Sequence, residues 1–514
     1  MSDGLHTVGR RLRERAAAHP ERIAVDDRGV RLDYAALCAR AQRLADSLAE
    51  AGYGTGHRIV TVSGNSTDHV VAFFACAFLG ATFVPLSWRL TPAELAELVR
   101  RTDPALVLIE DEHAALAGTA LRMLEPALHP RAELGVAGVE RAVPPPDAPL
   151  PRRAVRDDDP MLVIYTSGSE AAPKGVVLTH ENCFWSSFAL GQAMPITADD
   201  VVLAMLPQYH VAAWNVQPLL AWWSGATVVL ERSFQPGRVL HLICERGVTA
   251  MMGVPTQYRM LMDAPEWTGT NLSSLRLAVV GGSTAATGIA TAWAARGVPL
   301  TQGYGLTEAG PNALFLTADE SLDRPGASGR PYPGVDARLV DPVSGLELEG
   351  AATGELQLRG GGVFTGYLDD PDATARAFDG DWLRTGDLVR RDDDGVHHVV
   401  DRLKEIFVSG GENVAPAEVE AALAAHPRVR EVAVVGVPDE VWGERGVAFV
   451  VADGALSPDE LLAFGRERLA AFKLPARVLR VDALPRSTIE KVARGRLRAL
   501  AARLMKEDAH DGAH

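Results

Sequence analysis

Apolar residues follow a helical spacing in some stretches of the chain and form short unbroken runs in others. They recur every three or four residues in "YAALCARAQRLADSLAEAG", which predicts a helix that Asp33 caps and Gly52 ends. Short apolar runs between such stretches predict strands, namely "RIVTVS", "ATFVPL", "ALVLIE", "MLVIYT", "ATVVLE" and "LRLAVVGG". Strands that alternate with helices are typical of a layered α/β fold with largely parallel sheets.

One apolar stretch is long enough to raise the question of a membrane span. The residues from Val70 to Trp88 carry no charge, and that length could cross a bilayer. Gly80 and Pro85 interrupt the stretch, so we interpret it as a buried helix followed by a short strand. The N-terminal residues show no apolar region of a secretory signal. We therefore expect no membrane span and a cytoplasmic protein.

The pattern changes after about Arg402. The segment "KEIFVSGGENVAPAEVEAALAAHP" predicts a strand, a glycine turn and a helix, and "VREVAVVGV", "GVAFVVA" and "ARVLRVDAL" predict further strands. Ser457 and Glu460 form a capping box for the helix that begins "PDELL". We predict a large domain over residues 1–401 and a small α+β domain over residues 402–514.

Composition narrows the class of protein. The chain has 514 residues with 47% hydrophobic residues, which favours more than one domain with a sizeable core. The formal net charge of -15 gives no electrostatic attraction to nucleic acid or to anionic lipid. The cysteines are scattered, and no pair has the spacing of a metal site or of a redox motif.

The loop "YTSGSEAAPKG" has the residue types of a phosphate-binding loop. Thr166, Ser167 and Ser169 carry hydroxyl groups, Gly168 lets backbone amides approach an anion, and Lys174 adds a positive charge. The Walker pattern GxxxxGK[ST] is absent, which disfavours a P-loop kinase or ATPase. Taken alone, the loop is equally explained as a polar turn between a strand and a helix.

A second motif, "QGYGLTEAG", combines glycine, aromatic, hydroxyl and carboxylate groups within nine positions. Tyr304 offers a flat face to a base, and Thr307 can donate a hydrogen bond to a phosphate. Glu308 is a hard oxygen ligand of the kind that Mg²⁺ takes together with phosphate oxygens.

Three charged residues further along the chain complete a nucleotide site. Asp387 in "WLRTGDLVRR" is a carboxylate suited to the two hydroxyl groups of a ribose. Arg402 is a cation that keeps its charge, and Lys491 lies in the turn-prone stretch "LPRSTIEKVARGRL".

Together these motifs resemble those of the adenylate-forming superfamily, which includes the acyl-CoA synthetases. The resemblance runs from about Leu32 to Leu497, with the motifs in the expected order. It implies a large N-terminal domain of layered mixed β-sheets with helices and a small barrel-like subdomain, followed by a small mobile α+β domain. It also implies an AMP-forming acid–thiol ligase that uses ATP, Mg²⁺ and CoA.

The resemblance assigns a role to each matching position. The implied catalytic residues are Lys491, Glu308, Thr307 and His210, with Glu308 as the Mg²⁺ ligand. The implied ATP-binding residues are Thr166, Ser167, Gly168, Ser169, Lys174, Gly282, Ser283, Gln302, Gly303, Tyr304, Asp387 and Arg402. The implied acid-binding residues are Tyr209, His210, Trp214, Gly281 and Gly305. Lys404 matches the interdomain hinge, and Ser409, Gly410 and Gly411 match the pantetheine tunnel.

The chemistry explains why cations dominate such a site. The carboxylate of the acid attacks the α-phosphate of ATP, pyrophosphate leaves, and CoA then takes the acyl group while AMP is released. Because two anions must meet in the first step, Mg²⁺ and Lys491 are needed there. Lys491 would obstruct the thiol in the second step, so a mobile small domain lets one pocket serve both reactions.

The chain departs from the family pattern at two places. Glu170 and Ala171 replace a hydroxyl residue and a glycine in the phosphate loop, which predicts weaker ATP binding or altered pyrophosphate release. Glu490 stands where glycine usually precedes the catalytic lysine. The alternatives of another class are a degenerate acid- and nucleotide-binding homologue and a luciferase-like oxidation of an adenylate.

The stretch "LPQYHVAAWNVQPLL" bears on the identity of the acid. It has no carboxylate before Glu231 that could pair an α-ammonium group, so α-amino acids are disfavoured. Tyr209, His210 and Trp214 resemble fatty acyl-CoA synthetases, in which such a tryptophan gates an acyl tunnel, although Trp214 is equally explained as a core residue. We expect a medium- or long-chain fatty acid first and a bulky aryl or polycyclic acid second. CoA is the expected acceptor, with a carrier protein as the alternative, and a homodimer is a further candidate assembly.

Overall fold

The computed structural model describes residues 4–124, 131–134, 148–150, 152–166, 173–283, 285–409, 412–439, 442–486 and 492–511. The chain divides into two compact units. The first comprises Met1–Arg338, Gln357–Thr385 and Asp394–His397, and the second comprises Leu339–Leu356, Gly386–Asp393 and His398–His514. The domain boundary predicted between residues 401 and 402 lies within the last segment of the second unit, and it stays a prediction.

The described residues form helices and strands throughout both units. The α-helices are α1 Val8–Ala18, α2 Tyr34–Ala51, α3 Thr67–Leu79, α4 Pro92–Thr102, α5 Ala114–Arg122, α6 His180–Ala193, α7 Ala212–Asn215, α8 Pro218–Ser224, α9 Pro236–Arg246, α10 Pro255–Asp263, α11 Thr287–Ala294, α12 Ala318–Asp323, α13 Pro371–Ala377, α14 Pro416–Ala424, α15 Pro458–Arg466 and α16 Arg494–Asp511. Short 3-10 helices cover Asp111–His113, Thr307–Ala309 and Ala471–Lys473.

The strands are β1 Ile23–Asp27, β2 Val30–Asp33, β3 Arg58–Val62, β4 Thr82–Leu86, β5 Leu106–Glu110, β6 Arg131–Leu134, β7 Pro160–Thr166, β8 Lys174–Thr179, β9 Val201–Ala204, β10 Thr227–Leu230, β11 Ala250–Gly253, β12 Leu277–Val280, β13 Leu300–Tyr304, β14 Leu314–Leu316, β15 Arg330–Pro331, β16 Val335–Val340, β17 Glu347–Leu348, β18 Ala352–Gly360, β19 Gly366–Tyr367, β20 Phe378–Asp379, β21 Trp382–Arg391, β22 His397–Arg402, β23 Phe407–Ser409, β24 Glu412–Val414, β25 Val429–Asp439, β26 Gly443–Ala452 and β27 Arg477–Arg480.

The first unit is built on two large sheets. A nine-stranded sheet has the order β15-β14-β13-β12-β11-β9-β10-β1-β2, and a seven-stranded sheet has the order β19-β8-β7-β4-β3-β5-β6. The inner strands of both sheets pair in parallel, and antiparallel pairs lie toward the ends. The six strands predicted from short apolar runs are β3, β4, β5, β7, β10 and β12, which confirms the expected α/β class.

Local signals set the helix ends where the sequence predicts them. The Asp33 side chain accepts a hydrogen bond from the backbone N–H of Ala36, and Gly52 ends α2 with a φ of 105°, a left-handed conformation that glycine adopts without strain. The uncharged stretch divides as expected into α3, which Gly80 ends, and the buried strand β4. Within the described residues, no helix is both long and apolar enough to cross a membrane.

A further six-stranded sheet covers residues 335–402. Its order is β17-β16-β18-β21-β20, and β22 pairs with β21. The fold includes a curled half-barrel sheet, which agrees with the expected barrel-like subdomain.

The second unit contains a sheet that is buried on both faces. Its order is β24-β23-β26-β25, and β27 joins β26 in parallel. Val434 of β25 packs in a cluster with α14 and α15, whereas its neighbours Ala433 and Val435 pack in a cluster with α16. Because successive side chains of a strand point to opposite faces, two covered faces explain the unbroken apolar runs of β25 and β26. The structure adds strand β24 to the predicted elements.

Candidate active site

The predicted phosphate loop connects two antiparallel strands. β7 and β8 pair side by side, with Thr166 opposite Lys174 at the open end, and the Thr166 hydroxyl lies 3.5 Å from the carbonyl oxygen of Lys174. The interpretation of the loop as a turn between a strand and a helix is therefore wrong. Five of its predicted or atypical residues lie outside the described residues, namely Ser167, Gly168, Ser169, Glu170 and Ala171.

Glu308 is held from two sides by one short segment. It lies in the 3-10 helix that follows β13, where its backbone carbonyl accepts a hydrogen bond from the N–H of Phe364 at 2.8 Å. The hydroxyl of Tyr367 donates to Glu308 Oε1 at 2.9 Å. Lys174 Nζ lies 5.2 Å from the centroid of the Tyr367 ring. The structure therefore brings Glu308 and Lys174 to the same tyrosine, while Thr307 lies half-buried beside Glu308.

A buried polar network supports the turn that follows Glu308. The hydroxyl of Ser186 donates to the carbonyl oxygen of Gly310, and the amide of Asn215 donates to the same oxygen at 3.0 Å. Asn312 donates in turn to the Ser186 hydroxyl at 3.0 Å. Hydrogen bonds from buried side chains to a backbone carbonyl restrict the backbone at that point. Sequence reasoning missed these residues, although a serine and two asparagines within apolar stretches are a usable signal.

Close backbone packing explains two of the predicted glycines. A Cβ at Gly305 would lie 1.4 Å from the carbonyl oxygen of Pro311, so no other residue fits the observed backbone. A Cβ at Gly281 would lie 2.9 Å from Cε of Met252. Gly303 lies between them in β13, and Gly282 has a φ of 80°. Neighbouring atoms therefore pack directly against the backbone at this end of β12 and β13.

Gln302 ties the same strand ends together. Its amide nitrogen donates to the carbonyl oxygens of Val280 at 3.2 Å, Ser283 at 3.3 Å and Gly303 at 3.0 Å, and its amide oxygen accepts from the N–H of Ala285 at 3.1 Å. The residue is 6% exposed. Its side chain therefore shapes the backbone next to Tyr304, the half-buried residue predicted to face adenine.

Asp387 and Arg402 form an ion pair within the second unit. Arg402 Nε lies 2.6 Å from Asp387 Oδ1, the carboxylate side chain is 3% exposed, and the arginine side chain is 52% exposed. The two residues come from β21 and β22, so residues fifteen positions apart meet through the sheet. Lys404, the predicted hinge, lies exposed in the turn after β22. The backbone N–H of the preceding residue, Leu403, donates to the carbonyl oxygen of Gly386 at 2.9 Å.

Other predicted residues of this unit are only partly described. Ser409 is buried at the end of β23. Gly410, Gly411, Glu490 and Lys491 lie outside the described residues.

Trp214 lies in an aromatic core cluster. It is fully buried, its ring stacks on Phe73 with centroids 4.3 Å apart, and its indole N–H donates to the carbonyl oxygen of Gln208 at 2.7 Å. This packing favours the interpretation as a core residue, and the role of a tunnel gate stays a prediction. Tyr209 is buried, His210 is half-buried, and their rings meet edge to face with centroids 4.5 Å apart.

The donor groups fit a magnesium ion that is shared with ATP. Among the described residues, no group of three or more His, Cys, Asp or Glu side chains could hold a metal by itself. Mg²⁺ commonly takes one or two carboxylates together with phosphate oxygens and water. Glu308 is a half-buried carboxylate whose Oε1 accepts from Tyr367, which leaves Oε2 as the oxygen for the ion.

Comparisons with known proteins cover nearly the whole chain. The family model described as AMP-binding enzyme matches residues 12–368, and that described as AMP-binding enzyme C-terminal domain matches residues 418–491. Feruloyl-CoA synthase from Amycolatopsis sp is 39% identical over 491 residues, which cover 94% of this chain and 97% of that protein. Indoleacetate–CoA ligase from Aromatoleum aromaticum is 34% identical over 478 residues, with coverage of 92% and 94%.

A solved structure also resembles this chain over nearly its whole length. The Mycobacterium tuberculosis fatty acyl CoA synthetase superposes with a TM-score of 0.78 at 31% identity, and covers 98% of this chain and 100% of that one. The first family model alone spans more than half of the chain. The chain therefore belongs to the AMP-binding enzyme family, and it is an AMP-forming acid–CoA ligase that uses ATP, Mg²⁺ and CoA.

Proposed function

We propose that this ligase activates a carboxylic acid with a compact aryl group. The observation that carries the proposal is the packing of Trp214. Its ring is stacked on Phe73 and its N–H is bonded inside the core, so the ring is committed to the fold and not to the wall of a long acyl tunnel. A long acyl chain needs a deep apolar tunnel, whereas a single aromatic ring needs only a shallow pocket.

The glycines at the predicted acid site also support an aryl acid. Gly281 and Gly305 place peptide groups without side chains directly after β12 and β13. A planar ring can lie against backbone that carries no side chains, and aromatic groups gain much of their binding energy from such contact. Feruloyl-CoA synthase and indoleacetate–CoA ligase, the relatives at 39% and 34% identity, are both named for aryl acids.

A medium- or long-chain fatty acid is the second candidate. It was the first expectation from the sequence, and the fatty acyl CoA synthetase of M. tuberculosis at 31% identity favours it. The edge-to-face contact between Tyr209 and His210 does not favour one acid over the other.

The proposal gives each charged group one task. Thr166 and Lys174 end the strands on either side of the loop that binds the β- and γ-phosphates. Glu308 is the ligand of Mg²⁺, which neutralises phosphate charge when it is bound. Asp387 accepts hydrogen bonds from the ribose hydroxyls, while Arg402 fixes that carboxylate.

A product assay with a panel of acids tests the substrate class. Purified protein with ATP, Mg²⁺ and CoA is given ferulate, indoleacetate and fatty acids of increasing length, and mass spectrometry measures AMP and the acyl-CoA. We expect the highest kcat/KM with an aryl acid. A higher kcat/KM with fatty acids of eight or more carbons would assign the second candidate. A carrier protein in place of CoA tests the alternative acceptor.

The role of Lys491, which lies outside the described residues, is tested by separating the two half-reactions. We expect Lys491→Ala to abolish acid-dependent exchange of pyrophosphate into ATP, and to retain thioester formation from a supplied acyl-adenylate. Lys473→Ala is the matched control, because Lys473 pairs with Glu418 at 2.6 Å on the surface of the same unit. Equal loss of both half-reactions in Lys491→Ala would contradict a lysine that acts only in the first step. Absence of exchange with every acid in the unmodified protein would support the degenerate homologue.

A further inference from the structure

The segment from Phe364 to Leu368 connects Glu308 to the end of the phosphate loop. Its backbone holds the backbone of Glu308, since the N–H of Phe364 donates to the Glu308 carbonyl. Its Tyr367 hydroxyl holds the Glu308 carboxylate, and its Tyr367 ring faces Lys174. One aromatic residue therefore contacts both an acidic and a basic residue that ATP is proposed to engage.

The segment itself is firmly held. Tyr367 pairs with Val176 of β8, and the N–H of Leu368 donates to the carbonyl oxygen of Gly175 at 2.7 Å. The N–H of Tyr367 donates to the hydroxyl of Thr374 at 2.8 Å, and the Phe364 ring packs edge-on against the Tyr367 ring with centroids 4.9 Å apart. With backbone and ring both held, the Tyr367 hydroxyl oxygen has a fixed place beside Glu308.

Asn182 anchors the start of the segment from a different part of the chain. Its amide nitrogen donates to the carbonyl oxygens of Gly361 and Val363, both at 2.9 Å. Asn182 lies in the first turn of α6, directly after β8. The segment that carries Tyr367 is thus bonded to β8 and linked to α6, the strand and helix that follow the phosphate loop.

We propose that Tyr367 is a positioning residue for the metal and the phosphates. Its hydroxyl fixes the Glu308 carboxylate so that the second oxygen faces Mg²⁺, and its ring sets the place of the Lys174 ammonium group through a cation–π contact. This inference rests on the proposed function of Glu308 as the Mg²⁺ ligand. In this role Tyr367 acts through Glu308 and Lys174.

The two contacts of Tyr367 predict different effects for two substitutions. Tyr367→Phe keeps the ring beside Lys174 and removes the hydrogen bond to Glu308. Loss of such an outer partner typically weakens metal binding by about 10-fold or more. We therefore expect weaker metal binding to the nucleotide complex, and unchanged binding of the nucleotide without metal. Tyr367→Leu removes the ring as well, so we expect it to weaken nucleotide binding even without metal.

Metal binding is measured without turnover. The probe is Mn²⁺ with α,β-methylene-ATP, whose bridging carbon prevents adenylation, and water-proton relaxation reports the ternary complex. Tyr258→Phe is the matched control, since it removes a hydroxyl that donates at 2.9 Å to the carbonyl of Val279 in the core. We expect that control to bind Mn²⁺ as the unmodified protein does.

A double-mutant cycle decides whether Tyr367 acts through Glu308. We expect Glu308→Gln to weaken Mn²⁺ binding, and Tyr367→Phe to add nothing in that background, because the side chain that Tyr367 orients no longer carries the charge that binds the ion. An additive effect of Tyr367→Phe, or no effect of it alone, would overturn the role of Tyr367. Normal Mn²⁺ binding by Glu308→Gln would instead overturn the proposed role of Glu308, so the two failures are distinguishable.

Discussion

Replacing Asp387 with alanine tests whether this carboxylate binds the ribose of ATP. The Asp387 side chain is nearly buried, and its Oδ1 lies 2.6 Å from Nε of Arg402. The arginine side chain is 52% exposed, so water can solvate it when the carboxylate is removed. The substitution therefore removes a buried acceptor without leaving a buried charge behind.

The structure predicts that Asp387→Ala lowers the affinity for ATP more than it lowers the free energy of unfolding. A hydrogen bond from a hydroxyl to a charged group contributes about 1.5–3 kcal/mol, and about 2 kcal/mol corresponds to a roughly 30-fold weaker affinity for ATP. Breaking an ion pair costs about 3–5 kcal/mol when the remaining charge stays buried, but exposed pairs contribute about 1 kcal/mol or less. Because Arg402 is half-exposed, we expect a change in the free energy of unfolding near the lower figure.

Calorimetric titration with ATP, 2′-deoxy-ATP and 3′-deoxy-ATP separates the ribose contact from a general defect. We expect the unmodified protein to bind the deoxy analogues more weakly than ATP, and Asp387→Ala to bind all three alike. Asp336→Ala is the control, since Asp336 forms an exposed pair with Arg359 at 2.8 Å. If Asp387→Ala still discriminated against a deoxy analogue as strongly as the unmodified protein, the assignment of Asp387 to the ribose would be wrong.

Two further predictions concern stability and backbone geometry. Burial lowers the pKa of His69 to about 4 from 6.5. Between these two pH values, His69 is therefore protonated in the unfolded state and neutral in the folded state. The free energy of unfolding should fall by ~3 kcal/mol between pH 6.5 and pH 4; urea titrations should show a smaller fall for His69→Gln, and equal slopes would contradict this. Gly305→Ala places a Cβ against the carbonyl of Pro311 and should reduce kcat/KM by about 100-fold by moving the Glu308 turn. Gly288→Ala, which meets open space in α11, should keep activity and stabilise the protein by roughly 0.5–1 kcal/mol; comparable activity in the two variants would refute the steric argument.

Local sequence signals were sufficient for much of the fold. The cap at Asp33, the end of α2 at Gly52 and the division of the uncharged stretch at Gly80 each depend on residues within one turn of the feature they set. The strands β3, β4 and β5 were recognisable because their short β-branched runs are bounded by turn residues. Such features follow from backbone preferences that any neighbouring structure preserves.

The surroundings of individual side chains could not be predicted in the same way. Trp214 stacks on Phe73, which precedes it by more than a hundred positions, and no local pattern indicates that contact. The phosphate loop was equally explained as a turn between a strand and a helix, and only the pairing of Thr166 with Lys174 showed that a second strand follows it. Packing between distant segments decides which of two locally acceptable interpretations holds.

The same distinction applies to the charged groups of the proposed site. The motifs identified Glu308 and Asp387, but the partner that orients each one lies on another strand: Tyr367 for Glu308 and Arg402 for Asp387. Each carboxylate is thus directed by the fold before any nucleotide arrives, and less ordering remains to be done on binding. A substitution of Tyr367 or Arg402 should therefore weaken ligand binding by Glu308 or Asp387, although the carboxylate itself is unchanged. The motif supplies the reactive group, and the sheet supplies the direction in which it faces.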